Sequence, residues 1–362
     1  MEHDWIDWRD VRDRAGRRLP RLLFDYVEGG GFDESTASRN RDALDRIDLP
    51  QRVLNDIDAI DTSCVLFGRR WSMPLMLAPV GFAGMMARRG EVQAARAAAA
   101  AGIPFVLSTF AICSIEEVVR GCGVAPWMQL YLLSDPNWLD AFLPRIADLG
   151  VDTIILTVDV PVPGVRFREA RRPLRARPTI ASHAARVADG LCHPRWLYDV
   201  YLRGRPHAFG NMPGGRPGQV VPVTPAALER LRSAWRGRLV VKGVIDPEDA
   251  RRAVDLGADG VIVSNHGGRQ LGGVRSTIEA LGPVVEAVGG RVPVLMDGGI
   301  RGGMDIARAA SRGAQACLTG RAWAHALAAG GEEEVRNLLR SWRDELAIVM
   351  RLGGRATLSD GS

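Results

Sequence analysis

The chain has 362 residues, with 47 Lys+Arg against 42 Asp+Glu and a formal net charge of +5. Its 46% apolar and 25% charged content belongs to a folded chain and excludes a disordered or low-complexity one. Five cysteines, odd in number and without metal-like spacing, exclude a disulfide scaffold and point to reduced thiols in a cytoplasmic compartment.

Taken in chain order, Met1-Glu2-His3-Asp4-Trp5 shows no basic region followed by an apolar core, so no signal peptide is expected. Residues 1–70 read as a charged helical extension, with an amphipathic stretch opening at Leu19-Pro20 and stopped by Gly29-Gly30-Gly31. A rhythm then begins. Runs rich in strand formers fall at Pro74–Pro79, Pro104–Thr109, Trp127–Tyr131, Thr153–Asp159, Arg238–Lys242, Gly260–His266, Val292–Asp297 and Ala314–Gly320. Helical patterns lie between them at Glu91–Ala101, Asn137–Leu149, Ala226–Trp235, Pro247–Leu256, Ile278–Val288 and Met304–Ser311. The longest uncharged run, Ala97 to Ile115, approaches membrane length, but Gly102 and Pro104 cut it into a buried helix, a turn and a buried strand.

Eight strands alternating with helices predict a closed (β/α)8 TIM barrel over residues 71–330, in one domain with a C-terminal helix and tail over 331–362. One connection breaks the rhythm. More than sixty residues separate Asp159, after the fourth strand, from the helix near Ala226, which predicts a long lid loop. Its stretch 171–222 holds nine arginines against Asp189 and Asp199, a net of +7, which leaves −2 for the rest of the chain. Trp196, Tyr198, Tyr201 and Phe209 lie in the same stretch.

In such a barrel the chemistry sits at the C-terminal strand ends. Those ends read Pro79-Val80-Gly81, Ser108-Thr109, Gln129-Leu130-Tyr131, Thr157-Val158-Asp159, Lys242, Ser264-Asn265-His266, Asp297-Gly298-Gly299 and Gly320-Arg321. Lys242 is the only lysine in the chain; every other basic residue is arginine. Its survival at a strand end marks a place where a compact ammonium is needed and a planar guanidinium does not serve.

The run Ser264-Asn265-His266-Gly267-Gly268-Arg269-Gln270-Leu271, with Lys242 one strand earlier and Asp297-Gly298-Gly299-Ile300-Arg301 one strand later, resembles the FMN-dependent 2-hydroxy acid oxidoreductases. The resemblance spans nearly the whole chain, from Leu19-Pro20 and Asp25-Tyr26 to Gly320-Arg321. In the long loop, Asp189-Gly190-Leu191-Cys192-His193-Pro194-Arg195-Trp196 looks most like the membrane-associated mandelate and lactate dehydrogenases.

Oxidising a 2-hydroxy acid needs a base, a carboxylate anchor and an electron sink. His266 is the natural base because imidazole titrates near working pH, and Asp159 is placed to hold it. An arginine fork suits a carboxylate. The resemblance offers Arg166 and Arg269 for it, with Arg168 as a competitor to Arg166, and adds the hydroxyls of Tyr26 and Tyr131. No side chain accepts a hydride, so the sink is a cofactor, which the resemblance implies is FMN. The resemblance places Lys242 at the N1/C2 edge of the flavin. It assigns Pro79, Val80, Gly81, Ser108, Gln129, Thr157, Ser264 and Asp297 to cofactor binding. The turns Gly298-Gly299 and Gly320-Arg321 present backbone N–H groups to the phosphate, with charge from Arg301 and Arg321.

Some positions depart from the family pattern. Gln270-Leu271 is followed by Gly272-Gly273 where aspartate is common first, and Val80 stands where threonine is frequent. Phe110 replaces a tryptophan of some oxidases, leaving room for an aromatic substrate. Gly81 resembles the dehydrogenase members. The lid is shorter than in the membrane-bound relatives. The expected activity is oxidation of an (S)-2-hydroxy acid, mandelate-like first and lactate second, by a homotetramer. The expected acceptor is a quinone or a protein, with oxygen as the alternative. The basic lid is a candidate contact for an anionic membrane surface on the cytoplasmic face. A flavin-binding scaffold acting through the lid is the non-enzymatic alternative. Neither a metal site nor a nucleic-acid module is expected.

Overall fold

The computed structural model describes residues 6–171, 180–216 and 218–358. The N-terminal pentapeptide, residues 172–179 of the basic stretch, Pro217 and the last four residues of the tail lie outside the described residues.

The extension opens with α1 (Trp8–Arg18), α2 (Arg21–Glu28) and α3 (Ser35–Asp45). Asp7 caps α1 by accepting from the Arg9 N–H. The extension is not helical throughout. Cys64–Leu66 (β1) and Arg69–Trp71 (β2) form an antiparallel hairpin turned at Phe67-Gly68, both at positive φ. The hairpin packs Phe67 and Trp71 edge-on against Trp127, with ring centroids 5.4 and 5.8 Å apart. Leu66, Trp71 and Trp127 share one buried cluster with the barrel interior, including Met76, Ile155, Val240 and Leu295, so the hairpin plugs the barrel floor. Short strand runs next to a charged helical segment carry no strong local signal, and only burial against the barrel holds them in place.

The eight strands are β3 (Leu75–Leu77), β4 (Val106–Leu107), β5 (Trp127–Leu130), β6 (Thr153–Thr157), β7 (Arg238–Val244), β8 (Gly260–Val263), β9 (Val294–Met296) and β10 (Ala316–Thr319). Each falls within or nearly within a run read from the sequence. They pair in parallel in the order β3-β10-β9-β8-β7-β6-β5-β4, and a Leu77–Phe105 bridge closes the ring, giving a (β/α)8 barrel.

The helices around the barrel are α4 (Gly90–Ala100), α5 (Ile115–Cys122) and α6 (Pro136–Asp148), then in the lid α7 (Phe167–Ala170), α8 (Ile180–Leu191) and α9 (Pro194–Trp196). They continue with α10 (Pro225–Ala234), α11 (Pro247–Asp255), α12 (Thr277–Val288), α13 (Gly303–Ala310) and α14 (Arg321–Leu352). Several starts are written locally. Asp135-Pro136, Thr224-Pro225 and Asp246-Pro247 each join a capping side chain to proline in the first turn, and Ser276 with Glu279 forms a capping box. The last helix begins ten residues earlier than the expected boundary at 331 and bends there, where Gly331 has φ 71. The Ala97–Ile115 run divides at Gly102, between α4 and β4. No helix among the described residues is long and apolar enough to cross a membrane.

Candidate active site

The strand ends converge opposite the hairpin plug. Ser108, Gln129, Thr157, Lys242, Ser264 and Asp297 are all buried there, and the polar ones are paired. Gln129 Oε1 accepts from the Thr109 N–H and the Ser108 hydroxyl, while its Nε2 donates to Thr157 Oγ1 at 3.0 Å. Ser108 Oγ accepts in turn from the Phe110 N–H. Pro79, Val80 and Gly81 follow β3, whose neighbour is β10 with Gly320 and Arg321 at its end.

Lys242 is 4% exposed. Its ammonium donates to Ser264 Oγ at 2.8 Å and pairs with Asp297 Oδ2 at 2.8 Å. Burial works against its charge, but Asp297 and Asp159 outweigh burial and hold its pKa above the usual lysine value. Two residues expected at the cofactor, Ser264 and Asp297, therefore also position the lysine.

His266 follows β8 in a turn of three successive positive-φ residues, His266, Gly267 and Gly268, at φ 58, 63 and 72. A non-glycine residue held there is strained, and the surrounding structure must enforce it. Ser264 Oγ accepts the His266 N–H, and Asn265 Oδ1 accepts the Gly268 N–H. Asn265 also exchanges amide hydrogen bonds of 2.7 and 2.8 Å with Asn40 on α3, both side chains being buried. The extension thus pins the histidine turn.

The imidazole Nδ1 lies 2.9 Å from Asp159 Oδ1, which leaves Nε2 facing the Tyr131 hydroxyl at 3.4 Å. Burial would raise the Asp159 carboxyl, but His266 and Lys242 outweigh it and keep it below the usual carboxylate value. Burial, then Asp159 and Tyr26, push the Tyr131 phenol above its ordinary value, so it remains a hydrogen-bond donor.

Arg269 donates through Nη1 to the carbonyls of Tyr26 and Gly29 at 2.7 and 2.6 Å, and its guanidinium lies 5.1 Å from the centroid of the Tyr26 ring. Its Nη2 donates to Glu169 Oε1 at 2.6 Å. Arg166 donates through Nε to the Arg269 carbonyl and through Nη2 to Gln270 Oε1. Burial and the neighbouring Arg166 both lower the Arg269 pKa, with Glu169 opposing them. Arg168 does not compete for this place, because it forms a two-pronged pair with Glu34. Gln270 stitches the turn to the β6 loop by donating to the carbonyls of Asp159 and Val162.

Near Gly81 the side walls are aromatic. Phe110 contacts Tyr131 and Phe209 at centroid distances of 5.4 and 5.6 Å, and Phe209 contacts Phe82 at 4.9 Å. A Cβ on Gly81 would stand 3.0 Å from the Tyr26 hydroxyl and 3.3 Å from Phe110 Cβ, so a larger residue there would crowd both rings.

The fit of a phosphorylated flavin can be tested on Arg321. Its Nη1 and Nη2 reach only backbone carbonyls, of Gly267 and Gly29, and its buried Nε has no hydrogen-bond partner among the described residues. Burial and the neighbouring Arg269 push its pKa down to about 10. A phosphate beside it would relieve an uncompensated buried cation. The preceding Gly320 has φ −112, which any residue adopts, yet an added Cβ would meet nothing closer than Ala78 Cβ and Val80 Cγ2 at 3.9 Å. The chain leaves room at that turn, and the donors present fit the group. Gly298 and Gly299, at φ 95 and 97, have a further structural reason, since a Cβ on either would strike Thr277, Asn40 or Leu44. Arg301 lies with its guanidinium 4.6 Å from the Trp8 ring centroid.

Sequence reasoning did not single out Glu169, Asn40, Phe209 or Gln270 as site residues. Glu169 did leave a signal, being the only acidic residue between Asp159 and Asp189 in an arginine-rich stretch. Asn40 left none, because its partner is 225 residues away.

A parallel barrel with a buried lysine, an Asp-paired histidine and two arginines at its C-terminal mouth defines an oxidoreductase of the flavin barrel class. The model of the FMN-dependent dehydrogenase family matches residues 15–362, and the chain belongs to that family. It is similar to an L-lactate dehydrogenase of Caulobacter vibrioides, 46% identical over 359 residues covering 95% of this chain and 93% of that protein. An L-lactate dehydrogenase of Haemophilus influenzae is 43% identical, covering 97% of this chain and 95% of that protein. Among solved structures, the monotopic membrane protein (S)-mandelate dehydrogenase superposes with TM-score 0.92 at 34% identity, over 99% of this chain and 98% of that one. Mandelate oxidase with benzoyl-formic acid superposes with TM-score 0.85 at 36% identity, over 98% and 96%. The chain is an FMN-dependent 2-hydroxy acid dehydrogenase or oxidase.

Proposed function

We propose that this chain oxidises an (S)-2-hydroxy acid of lactate size to the 2-oxo acid and passes the electrons to a quinone or protein acceptor. The observation that carries the reading is the His266–Asp159 pair, with Nε2 left facing the site beside Tyr131. FMN supplies the acceptor for the two electrons and the α-hydrogen of the substrate. His266 takes the hydroxyl proton at Nε2. Asp159 holds the Nδ1–H tautomer and offsets the positive charge the ring acquires. Arg269 and Arg166 bind the carboxylate, and the Tyr26 and Tyr131 hydroxyls orient the acid. Lys242 would supply the positive charge that stabilises the reduced flavin, and Arg321 would help hold its phosphate.

Lactate moves ahead of an aryl acid for a packing reason. Phe209 packs edge-on against both Phe110 and Phe82, which favours a small acid beside them. The relatives named L-lactate dehydrogenase support the same order. The second reading, an aryl acid, is favoured by the likeness to mandelate-acting structures.

A lid contact with an anionic membrane surface is part of the proposal. Val187, Leu191, Tyr198, Tyr201 and Leu202 are exposed there beside Arg195, Arg203 and Arg205. Sedimentation of the protein with anionic vesicles supports this contact, and failure to sediment refutes it.

The decisive experiment is an anaerobic panel of 2-hydroxy acids read by flavin bleaching, followed by air. Lactate should bleach fastest and air should restore colour slowly. His266→Ala should keep the yellow flavin and lose bleaching. Unchanged bleaching would remove His266 as the base.

A further inference from the structure

The arginines assigned to the substrate already hold a carboxylate of the chain itself. Glu169 places Oε1 2.6 Å from Arg269 Nη2 and Oε2 3.5 Å from Arg166 Nη1. One side chain thus spans both guanidiniums. Two neighbouring cations largely out of water require an anion nearby. The other carboxylates of the site are engaged elsewhere: Asp159 with His266, Asp297 with Lys242 and Glu34 with Arg168. Arg269 gives its Nη1 to two backbone carbonyls, so an incoming carboxylate meets Glu169 at the Nη2 edge. Two carboxylates side by side repel.

Glu169 lies on α7, which is only four residues long and is held to the extension by packing on α2 and by the partly exposed Arg168–Glu34 pair. Phe167, Arg168 and Arg171 of this segment border a cavity of about 360 Å³, across from Arg21 and Phe32. A shift of α7 therefore has space to enter without displacing the barrel core.

We propose that Glu169 is the resident counter-ion of the carboxylate subsite, and that the 2-hydroxy acid binds by displacing it from Arg269, with α7 moving toward the cavity. The inference rests on the reading of Arg166 and Arg269 as the carboxylate anchor. Binding then exchanges one carboxylate for another, so the affinity for the substrate anion stays below what two unopposed arginines would give. A bracing role for Glu169 makes the opposite forecast, because loss of a brace loosens the arginines and weakens binding.

The test uses the FMN-loaded full chain, with Kd for pyruvate and for 2-hydroxypropanamide read from perturbation of the flavin spectrum. Glu169→Gln should bind pyruvate on the order of tenfold more tightly, as expected for removing one nearby negative charge. Affinity for 2-hydroxypropanamide, which lacks the carboxylate, should not change, and Glu169→Asp should stay near the parent protein. Unchanged or weaker pyruvate binding by Glu169→Gln overturns the proposal. If no 2-hydroxy acid bleaches the parent protein, the functional reading itself has failed. If lactate bleaches it and Glu169→Gln binds pyruvate no tighter, only the counter-ion has failed.

Discussion

His266 and Asp159 meet at 2.9 Å although 107 residues separate them in the chain. Asp159 follows β6 and His266 follows β8, so the pair reaches over the intervening strand β7. That strand makes way. At Lys242/Val244 the pairing register with β8 shifts, and Gly243 lies there at φ 109. A Cβ on Gly243 would stand 2.6 Å from Asp159 Cγ. A glycine in the middle strand is what allows an acid and a base on its two neighbours to touch.

Asp159→Asn should keep the fold and the flavin but slow flavin reduction by about 10² to 10³-fold, the range expected when a base loses its supporting charge. Stopped-flow reduction by lactate measures it. A loss confined to substrate Kd would place Asp159 outside the proton step.

Lys242→Arg should not restore function. The ammonium is held between Asp297 Oδ2 and Ser264 Oγ, each at 2.8 Å, in a buried space that a longer planar group does not fit. Flavin reduction should fall by about 10²-fold or flavin should be lost, read by the visible spectrum of the purified variant. Full activity in Lys242→Arg would mean that any cation suffices there.

Phe209→Ala should move substrate preference toward an aryl acid. Removing a ring packed on Phe110 and Phe82 opens the wall near Gly81. The ratio of kcat/KM for mandelate to that for lactate should rise about tenfold or more, a change of the size that pocket volume produces. An unchanged ratio would show that Phe209 does not bound the substrate.

Glu28→Gln should lower stability in a pH-dependent way. Burial alone would raise the Glu28 carboxyl, but hydrogen bonds from His325 and Arg12 outweigh it and hold the pKa at about 2, against the ordinary 4.5. A depressed folded-state pKa stabilises the fold above the ordinary value, and this contribution fades as pH falls from 4.5 toward 2. Burial holds His325 below its ordinary value, so it is neutral at neutral pH and Arg12 is the charge then facing Glu28; the variant should be weaker there by on the order of 1 kcal/mol. Its urea midpoint should converge on that of the parent as pH drops below the ordinary glutamate value. A gap that persists in acid would assign the loss to packing.

The barrel, and which residues stand at its strand ends, could be read from the residue order alone. Strand runs such as Thr153–Thr157 are bounded by polar ends, and helix starts such as Asp246-Pro247 carry their own cap, so both are written within a few residues. The solitary Lys242 and the Ser264–Leu271 run were legible for the same reason. The tertiary structure decided how those residues share their partners. Only tertiary packing brings Asp159 to His266 across β7, Asn40 of the extension to Asn265 and Phe209 of the lid to Phe110. The Cys64–Trp71 hairpin takes its place by burying aromatic rings against Trp127, a contact that no local pattern announces. Arg269 and Arg166 could be named from their motif, but that Glu169 stands between them follows from two guanidiniums brought together away from water, where the nearest carboxylate completes the charge.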